Sequence, residues 1–466
     1  MGHRRERAFD VESETDVFGS GERTSFVTRT GGEVNILDRT DRYCVIGAGS
    51  SGLVAAKNLK QHGIPCDVLE REDEVGGIWN YGKPFSSVYR STHLISSKPL
   101  TEYTDFPMPA DYPDYPNHAQ VLAYFKAYAR HFGLYDLIEF NTTVERVAPS
   151  GAGWEVTLAG GHKRRYRGVV IANGHLWNPH YPDFPGKFDG TALHSRDYKT
   201  PDVLRDKRVL VVGAGNSGCD IAVEAAQNAA RTFHSVRRGY HYIPKYLFGK
   251  PADQVGEVAL RLRVPLFLRR WTNGLILRLF HGRPQDFGLP KPDHKLFESH
   301  PIVNSQIFYY LGHGDIIPKP DVEELRDDRV RFRDGSEEPI DVIVYATGYE
   351  ITFPFIDSTH LNWRNGHPAL FLNVFHPEYD NLFVAGLIQP DSGQWGLVDY
   401  QTQLIARFVR AQEQNPASAE RFRRLKAGTK MDLGHGIRYL PSSRHAIEVE
   451  HFSYRRRLQK LIRRFD

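Results

Sequence analysis

Apolar positions along the chain fall into short runs, separated by glycine turns and by stretches with helical spacing. Arg42-Tyr-Cys-Val-Ile-Gly47 is one such run. It ends in glycines and passes into a helical pattern carried by Leu53, Ala56 and Leu59, and a second run, Cys66-Asp-Val-Leu-Glu70, follows. Strand, turn, helix, strand in that order predicts the opening βαβ unit of a doubly wound sheet. The same grammar returns roughly 165 residues later. Arg208-Val-Leu-Val-Val-Gly213 opens onto an alanine-rich helix (Ile221, Ala222, Ala225, Ala226), then the strand Thr232-Phe-His-Ser235. Between the two units the pattern predicts a helix over Gln120–Phe132, a hairpin-like segment from Val144 to Tyr166 and a strand at Gly168-Val-Val-Ile-Ala-Asn-Gly174. A matching run, Asp341-Val-Ile-Val-Tyr-Ala-Thr-Gly348, comes late in the chain.

The expected fold class is therefore α/β, with two doubly wound, Rossmann-like dinucleotide-binding domains, one inserted in the other. Residues 1–40 read as an N-terminal extension that is disordered or wrapped over the surface. The outer domain is expected over 41–190 and 345–466, and the inserted one over 191–344 with a helical insertion at about 240–310. The length fits roughly two or three domains.

Two basic amphipathic runs stand out. Leu260-Arg-Leu-Arg-Val-Pro-Leu-Phe-Leu-Arg-Arg reads as a solvated helix face flanking a substrate pocket, with contact to a membrane surface as the alternative. Arg455-Arg-Arg-Leu-Gln-Lys-Leu-Ile-Arg-Arg reads as a surface helix.

Composition narrows the class. Hydrophobic residues make up 40% and charged residues 25%, as in a globular protein. Sixty Lys and Arg against 56 Asp and Glu leave a net charge of +4, which gives no argument for nucleic acid. Cys44, Cys66 and Cys219 form no C-x-x-C pair, so neither a disulfide framework nor a thiolate zinc site is indicated, and reduced thiols fit a cytoplasmic location. No apolar signal region and no membrane-spanning run are visible. The 21 histidines show no metal-binding spacing, so no metal is expected.

Gly47-Ala-Gly49-Ser-Ser51-Gly52 matches G-x-G-x-x-G directly between a strand and a helix. Gly47 allows the tight turn, Gly49 lets the backbone approach a pyrophosphate, and Gly52 lets the helix pack closely on the sheet. Glu70 lies 18 residues beyond Gly52, where a carboxylate accepts ribose hydroxyls and disfavours a 2′-phosphate. This site is expected to take FAD or NAD(H). Gly77, Ile78 and Trp79 of Glu74-Val-Gly-Gly77-Ile-Trp79 suit approach to a second phosphate or a ring system. The strand Asp380-Asn-Leu-Phe-Val-Ala-Gly386 is placed to return the chain to the same ligand, so FAD is preferred. Val144 and Gln394 complete the candidate contacts.

Gly213-Ala-Gly215-Asn216-Ser217-Gly218 repeats the turn, but no acid closes its second strand. Arg237 and Arg238 follow instead. Two guanidiniums can clamp a 2′-phosphate, so this site is expected to prefer NADPH to NADH.

Between the fingerprints lies Phe188-Asp-Gly190-Thr-Ala-Leu-His194-Ser-Arg-Asp-Tyr198-Lys199. It resembles the identifying motif of flavin-containing monooxygenases, F-x-G-x-x-x-H-x-x-x-(Y/F)-(K/P). The Baeyer–Villiger members of that class usually carry tryptophan where Tyr198 stands. Asp105-Phe-Pro-Met-Pro109, Asn216-Ser-Gly-x-Asp220 and Ala346-Thr-Gly-Tyr349 extend the likeness over about residues 41–455.

The resemblance implies that NADPH reduces FAD, that O2 then forms a C4a-(hydro)peroxyflavin, and that one oxygen atom passes to a small lipophilic substrate. The expected outcome is N- or S-oxygenation, with ketone-to-ester insertion or uncoupled NADPH oxidation as alternatives. A homodimer is expected. His194 is read as a hinge between domains or a group supporting the site, with a plain structural role close behind.

One departure bears on catalysis. Many members place an asparagine in a segment written Asn-Thr-Ser-Lys, where this chain has Ile95 in His93-Leu-Ile95-Ser96-Ser97-Lys98. Isoleucine forms no hydrogen bond, which leaves His93 or Ser96 as the expected catalytic groups. His93 would bias the protonation of the peroxide. His93 and the basic N-terminal extension are similar to features of a bacterial subgroup whose members insert oxygen into ketones. A disulfide reductase also uses two such folds but needs a redox-active cysteine pair, which this chain lacks. A flavin-binding regulatory protein without turnover is the non-enzymatic reading.

Overall fold

The computed structural model describes residues 36–465, apart from 263, 429–430 and 443–444. The N-terminal extension, up to Asn35, lies outside the described residues. Order starts earlier than the apolar run suggested: β1 spans Ile36–Ile46, and its polar first half pairs with Lys163–Tyr166.

The first βαβ unit is β1, helix α1 (Ser50–Gln61) and β2 (Cys66–Leu69), with β1 and β2 parallel. Helix α2 (His118–His131) starts two residues before the expected point because Asn117 caps it. The Asn117 side chain accepts from Gln120 N at 3.0 Å, and Gln120 returns a bond to Asn117 N at 3.1 Å. After β3 (Ile138–Glu139), the expected hairpin proves to be a three-stranded meander of β4 (Val144–Ser150), β5 (Gly153–Leu158) and β6 (Lys163–Ile171). The hairpin's second arm and the expected strand at 168–174 are one continuous strand, β6. Its first half pairs antiparallel with β5 and its whole length parallel with β1.

The second sheet contains β7 (Thr191–His194), β8 (Arg208–Val212), β9 (Arg231–Ser235), β10 (Ile316–Lys319) and β11 (Val342–Tyr345), in the order β10-β9-β8-β11-β7, all parallel. Helix α3 (Asn216–Asn228) connects β8 to β9. The insertion after β9 is not purely helical. It holds short strands as well as α4 (Ala252–Arg261) and α5 (Leu266–His281), and Pro265 splits the Leu260–Arg270 run between the two helices. The chain then returns to the first sheet through β12 (Leu382–Val384), which pairs with the second half of β6, and ends in α6 (Trp395–Gln414) and α7 (His451–Ile462).

Each sheet is buried on both faces, as parallel sheets require. On the first sheet α1, α2, α6 and α7 cover one face, with Leu53, Phe125, Leu404 and Leu458 packed together, while Trp154, Val169, Ile171 and Phe355 fill the other. Cys44, Cys66 and Cys219 are buried and form no disulfide among the described residues.

Four histidines, His194, His234, His376 and His451, are buried, and burial brings each down from 6.5 to about 4. In acid the unfolded chain takes up protons that the folded chain refuses. Stability is therefore expected to fall as pH drops from about 6.5 towards about 4, each group adding up to about 1.4 kcal/mol per pH unit. Thermal unfolding followed at pH 7.5, 6 and 5 checks this; an unchanged midpoint would contradict it.

Candidate active site

Both glycine turns are built by the same constraints. Gly47 has φ +100°, and a Cβ there would lie 2.9 Å from the Ala172 carbonyl oxygen; Gly213 has φ +110°, and its Cβ would lie 2.5 Å from the Ala346 oxygen. A Cβ on Gly52 would overlap the Gly47 carbonyl, and one on Gly218 the Gly213 carbonyl. Gly49 and Gly215 are the N-caps of α1 and α3, and neither helix start is capped by a side chain, so the first-turn N–H groups are available to an anion. At the first turn Gly77 (φ +54°) faces Gly49 so closely that a Cβ on it would lie 3.1 Å from the Gly49 Cα. Gly77, Ile78 and Trp79 form a single 3₁₀ turn there, with Trp79 edge-on to Trp395 at 6.1 Å. The two bare backbones leave a cleft that any side chain would fill.

The strand ends differ. Gly47 N donates to Leu69 O and Glu70 N to Glu139 O; in the second unit Gly213 N donates to Ser235 O and Val236 N to Lys319 O. Val236 thus stands where Glu70 stands. The buried Glu70 carboxylate accepts from Ala48 N at 2.6 Å and Glu72 N at 2.9 Å, and burial pushes its pKa up against those bonds. Each carboxylate oxygen keeps a free lone pair for a ribose hydroxyl.

In the second unit Arg237 is exposed and makes no ion pair among the described residues. Arg238 is engaged: its Nη2 lies 2.8 Å from Asp293, whose pKa falls to about 2 through that bond. The expected two-arginine clamp is therefore one open guanidinium beside one paired one. His234, unnoticed in sequence, puts Nε2 2.9 Å from the Gly213 carbonyl and steadies the turn.

Other expected contacts hold loops in place. Gln394 donates to the Gly386 and Ile388 carbonyls at 3.1 and 2.9 Å, fixing the loop that abuts Ser51. Val144 opens β4 two residues after Thr142, whose N–H is bonded to the Glu70 carbonyl. The Asn216 amide is committed to Pro301 O (3.1 Å) and Val303 N (2.7 Å), so its side chain shapes the site and only its backbone faces the cleft.

The motif residues act as a clamp. Gly190 has no room for a Cβ between the Phe188 ring and the Asp341 carbonyl. His194 accepts from Arg196 N at 3.1 Å, which leaves Nε2 to donate to Gly348 O at 3.0 Å. This neutral ring ties the motif to Ala346-Thr-Gly-Tyr349 and does not titrate near neutrality. Tyr198 donates to Glu224 on α3 at 2.5 Å and packs edge-on against Tyr89 at 5.6 Å, while Tyr89 reaches Asp220 at 3.3 Å.

A cavity of about 150 Å³ lies between loops tied to both cradles. Pro301 and Val303, held by Asn216, line one side, and Pro390, Asp391 and Ser392, leading into Gln394, line the other. Ile95 and Ser96 reach the wall, with Ser96 Oγ 2.8 Å from Thr101 Oγ1. His93 does not: it is exposed, with Nδ1 on the Ser91 carbonyl at 2.8 Å, because the turn before Leu94 aims it outward. Asp391, Tyr439 and Glu448 also line the cavity and were missed, since residues so far apart in the chain carry no spacing signal.

A family model for flavin-binding monooxygenase-like proteins matches residues 40–463. Flavin-containing monooxygenase 5 of Oryctolagus cuniculus is 34% identical over 448 residues, covering 90% of this chain and 82% of that protein. The chain belongs to the flavin-binding monooxygenase-like family. Flavin-containing monooxygenase 2 of Homo sapiens is 34% identical over 392 residues, 79% of this chain and 73% of that one. Among solved structures, open cyclohexanone monooxygenase aligns with a TM-score of 0.68 at 19% identity, covering 91% of this chain and 98% of the other. That likeness concerns the fold of two Rossmann-like domains.

As a monooxygenase of this family the chain uses FAD, NADPH and O2. Arg237→Ala is expected to raise KM for NADPH about 10- to 100-fold, the equivalent of roughly 1.5–3 kcal/mol for a charge-assisted contact, with little change for NADH. Arg238→Ala is expected to do less. Steady-state kinetics with both reduced cofactors check it, and unchanged NADPH KM in Arg237→Ala contradicts it.

Burial pushes the Asp391 carboxyl up to about 7, reinforced by the Glu450 charge, so it changes charge near neutrality inside the cavity wall. The pH profile of kcat/KM is expected to show a limb near 7 that Asp391→Asn removes.

Proposed function

We propose that the chain transfers one oxygen atom of O2 to a nitrogen or sulfur centre of a small lipophilic substrate. Residues 41–190 and 345–466 would carry FAD, and the inserted 191–344 NADPH. The observation that carries this reading is the cavity's position between loops anchored to both cradles, Pro301–Val303 to the second and Pro390–Ser392 to the first. When bound, FAD supplies the oxygen-activating chemistry, with NADPH as its reductant.

The protein's own part is to hold and exclude. Gly47, Gly49 and Gly52 with the α1 N-terminus hold one pyrophosphate, and Glu70 favours an unphosphorylated ribose. Gly213, Gly215, Ser217 and Gly218 repeat that arrangement beside Arg237. The His194 and Tyr198 clamp keeps the two units in register. Ile95 and the apolar cavity wall keep water from the reacting centre. Ser96 gives its proton to Thr101 Oγ1, which donates on to the Ser97 carbonyl, so its hydroxyl oxygen faces the cavity as an acceptor, and Asp391 on the wall is a group able to take or give a proton.

Insertion of oxygen beside a ketone carbonyl is a second reading. It is supported by Ile95 on the cavity wall, where an amide side chain would otherwise hydrogen-bond. The test is turnover under ¹⁸O2 with an alkyl sulfide, a tertiary amine and a cyclic ketone in parallel. One labelled atom in the sulfoxide or N-oxide is expected. Labelled ester alone would favour the second reading, and NADPH consumption matched by hydrogen peroxide, with no labelled product, would refute both.

A further inference from the structure

The cavity wall holds a serine and a histidine that oxygen transfer does not use. Ser299, two residues before Pro301, lines the cavity. Its Oγ lies 3.1 Å from Nε2 of His445, and Nδ1 of the same ring lies 2.7 Å from the Ser442 hydroxyl. Ser299 and His445 are both buried. A hydroxyl on one imidazole nitrogen, with a third group on the other, is the arrangement that activates serine for attack on a carbonyl carbon. No spacing in the sequence announces the pair, since its members stand 146 positions apart.

Both members are held in place. The Glu298 carbonyl accepts from Leu440 N at 2.9 Å, which ties the Ser299 segment to the Ser442 segment. The Glu298 carboxylate accepts from Arg270 at 2.8 Å and from Lys295 N at 3.0 Å. On the other side the Ser442 carbonyl accepts from His445 N at 3.0 Å, closing the turn that presents the ring. With its proton on Nδ1, His445 donates to Ser442 and leaves Nε2 to accept from Ser299. Tyr439, next to Leu440, also lines the cavity, and its hydroxyl is buried with no hydrogen-bond partner among the described residues. An orphaned buried hydroxyl calls for a reason. Burial raises the Tyr439 pKa and keeps the phenol protonated, as a donor to a developing oxyanion must be.

We infer that Ser299 and His445, with Ser442 orienting the ring, form a second catalytic site that hydrolyses small lipophilic esters in this cavity. Ser299 Oγ bonds to the ester carbonyl carbon as its proton passes to His445 Nε2, and the Tyr439 hydroxyl donates to the oxygen that becomes negative. The C–O bond to the alcohol breaks, and Nε2 gives the proton to the departing alkoxide. Water entering as the alcohol leaves adds to the acyl carbon and passes a proton to Nε2. The bond to Ser299 Oγ then breaks, and Nε2 reprotonates the serine. Ester and water become carboxylic acid and alcohol with no change of oxidation state, so neither flavin nor NADPH takes part. Where the chain inserts oxygen beside a ketone carbonyl, the ester formed is also the ester consumed; that consequence rests on the second reading of the function.

The test is hydrolysis of p-nitrophenyl butyrate by the full-length, flavin-loaded protein without NADPH, joined to labelling by a fluorophosphonate located by mass spectrometry. Hydrolysis is expected, with the label on Ser299. Ser299→Ala and His445→Gln are each expected to lower kcat at least about 100-fold with flavin absorbance unchanged. Ser442→Ala is expected to lower kcat about tenfold at unchanged KM, as loss of orientation without loss of binding requires. An unmutated protein that neither hydrolyses the ester nor takes the label on Ser299 overturns the inference, whether or not any variant folds. Hydrolysis that survives Ser299→Ala overturns it as well. With a cyclic ketone and NADPH, the unmutated protein is expected to release the ring-opened hydroxy acid, and Ser299→Ala the lactone. Neither product, with butyrate still hydrolysed through Ser299, upholds the dyad and refutes the ketone reading alone.

Discussion

Gly52→Ala is expected to purify without flavin, while Gly218→Ala purifies yellow but no longer oxidises NADPH. The added methyl of Gly52→Ala would overlap the Gly47 carbonyl oxygen, and the Ala172 Cβ stands 3.6 Å away on the same side. Gly47 cannot yield, because its φ of +100° is already fixed by the turn and by its N–H bond to Leu69. The start of α1 must therefore move off the strand end, and the N–H groups that face the pyrophosphate move with it. Flavin content read from absorbance is expected to fall more than tenfold, while NADPH binding by calorimetry survives. In Gly218→Ala the methyl meets the Gly213 carbonyl, with the Ala346 Cβ at 3.4 Å behind it, and His234 pins that carbonyl from the sheet. A rise of more than 100-fold in KM for NADPH, about 3 kcal/mol, is expected with flavin retained. The crossed outcome matters most, because one cradle fails while the other holds. A fully flavinated Gly52→Ala protein would refute the assignment.

Much of this was legible because the physics involved is local. A turn with positive φ, an uncapped helix start and a close helix–strand contact each demand glycine at a fixed offset, so both cradles could be read from spacing alone. The loss of the acid in the second unit was legible for the same reason, and the register adds that Val236 takes the place of Glu70. What could not be read depends on partners distant in the chain. Arg238 is tied down by Asp293, and Asn216 by residues 301–303. His93 follows a turn that points it to solvent, whereas Ile95, two residues on, reaches the cavity. The meander was half seen: β6 begins polar because it pairs with β5 near the sheet edge and becomes apolar where β12 covers it, so periodicity divided one strand into two. The acidic cavity residues Asp391 and Glu448 come together because the short strand Gln389–Pro390 pairs with Glu448–Val449 from far along the chain.

Lys57→Met is expected to destabilise the fold by about 3–5 kcal/mol, the cost of leaving a buried charge unpaired. Lys57 is 1% exposed on the side of α1 that meets α6, with Nζ 2.9 Å from Asp399 and 2.7 Å from Asp105. Asp399, at 0% exposure on α6, also accepts from Asn58 at 2.8 Å and from Thr104. Burial alone would push its carboxyl up, yet the Lys57 charge and these bonds hold it below the usual range. In the native protein this stability is present above the unfolded pKa and is lost as pH falls through the lower folded one. In Lys57→Met the sign reverses: the uncompensated carboxyl rises, protonates readily, and the deficit shrinks as the solution is acidified. Urea unfolding at pH 8 and pH 5.5 separates this from simple loss of packing, which methionine largely preserves and which does not depend on pH. The double variant Lys57→Met/Asp399→Asn should recover part of the deficit at pH 8, because the amide carries no charge, its single oxygen still accepts from Asn58 and its NH2 can donate to the Thr104 hydroxyl. A deficit equal at both pH values, or no recovery in the double variant, would mean that α1 and α6 are joined by shape alone. In that case the ion pair would have no part in fixing the helix whose start forms the first cradle.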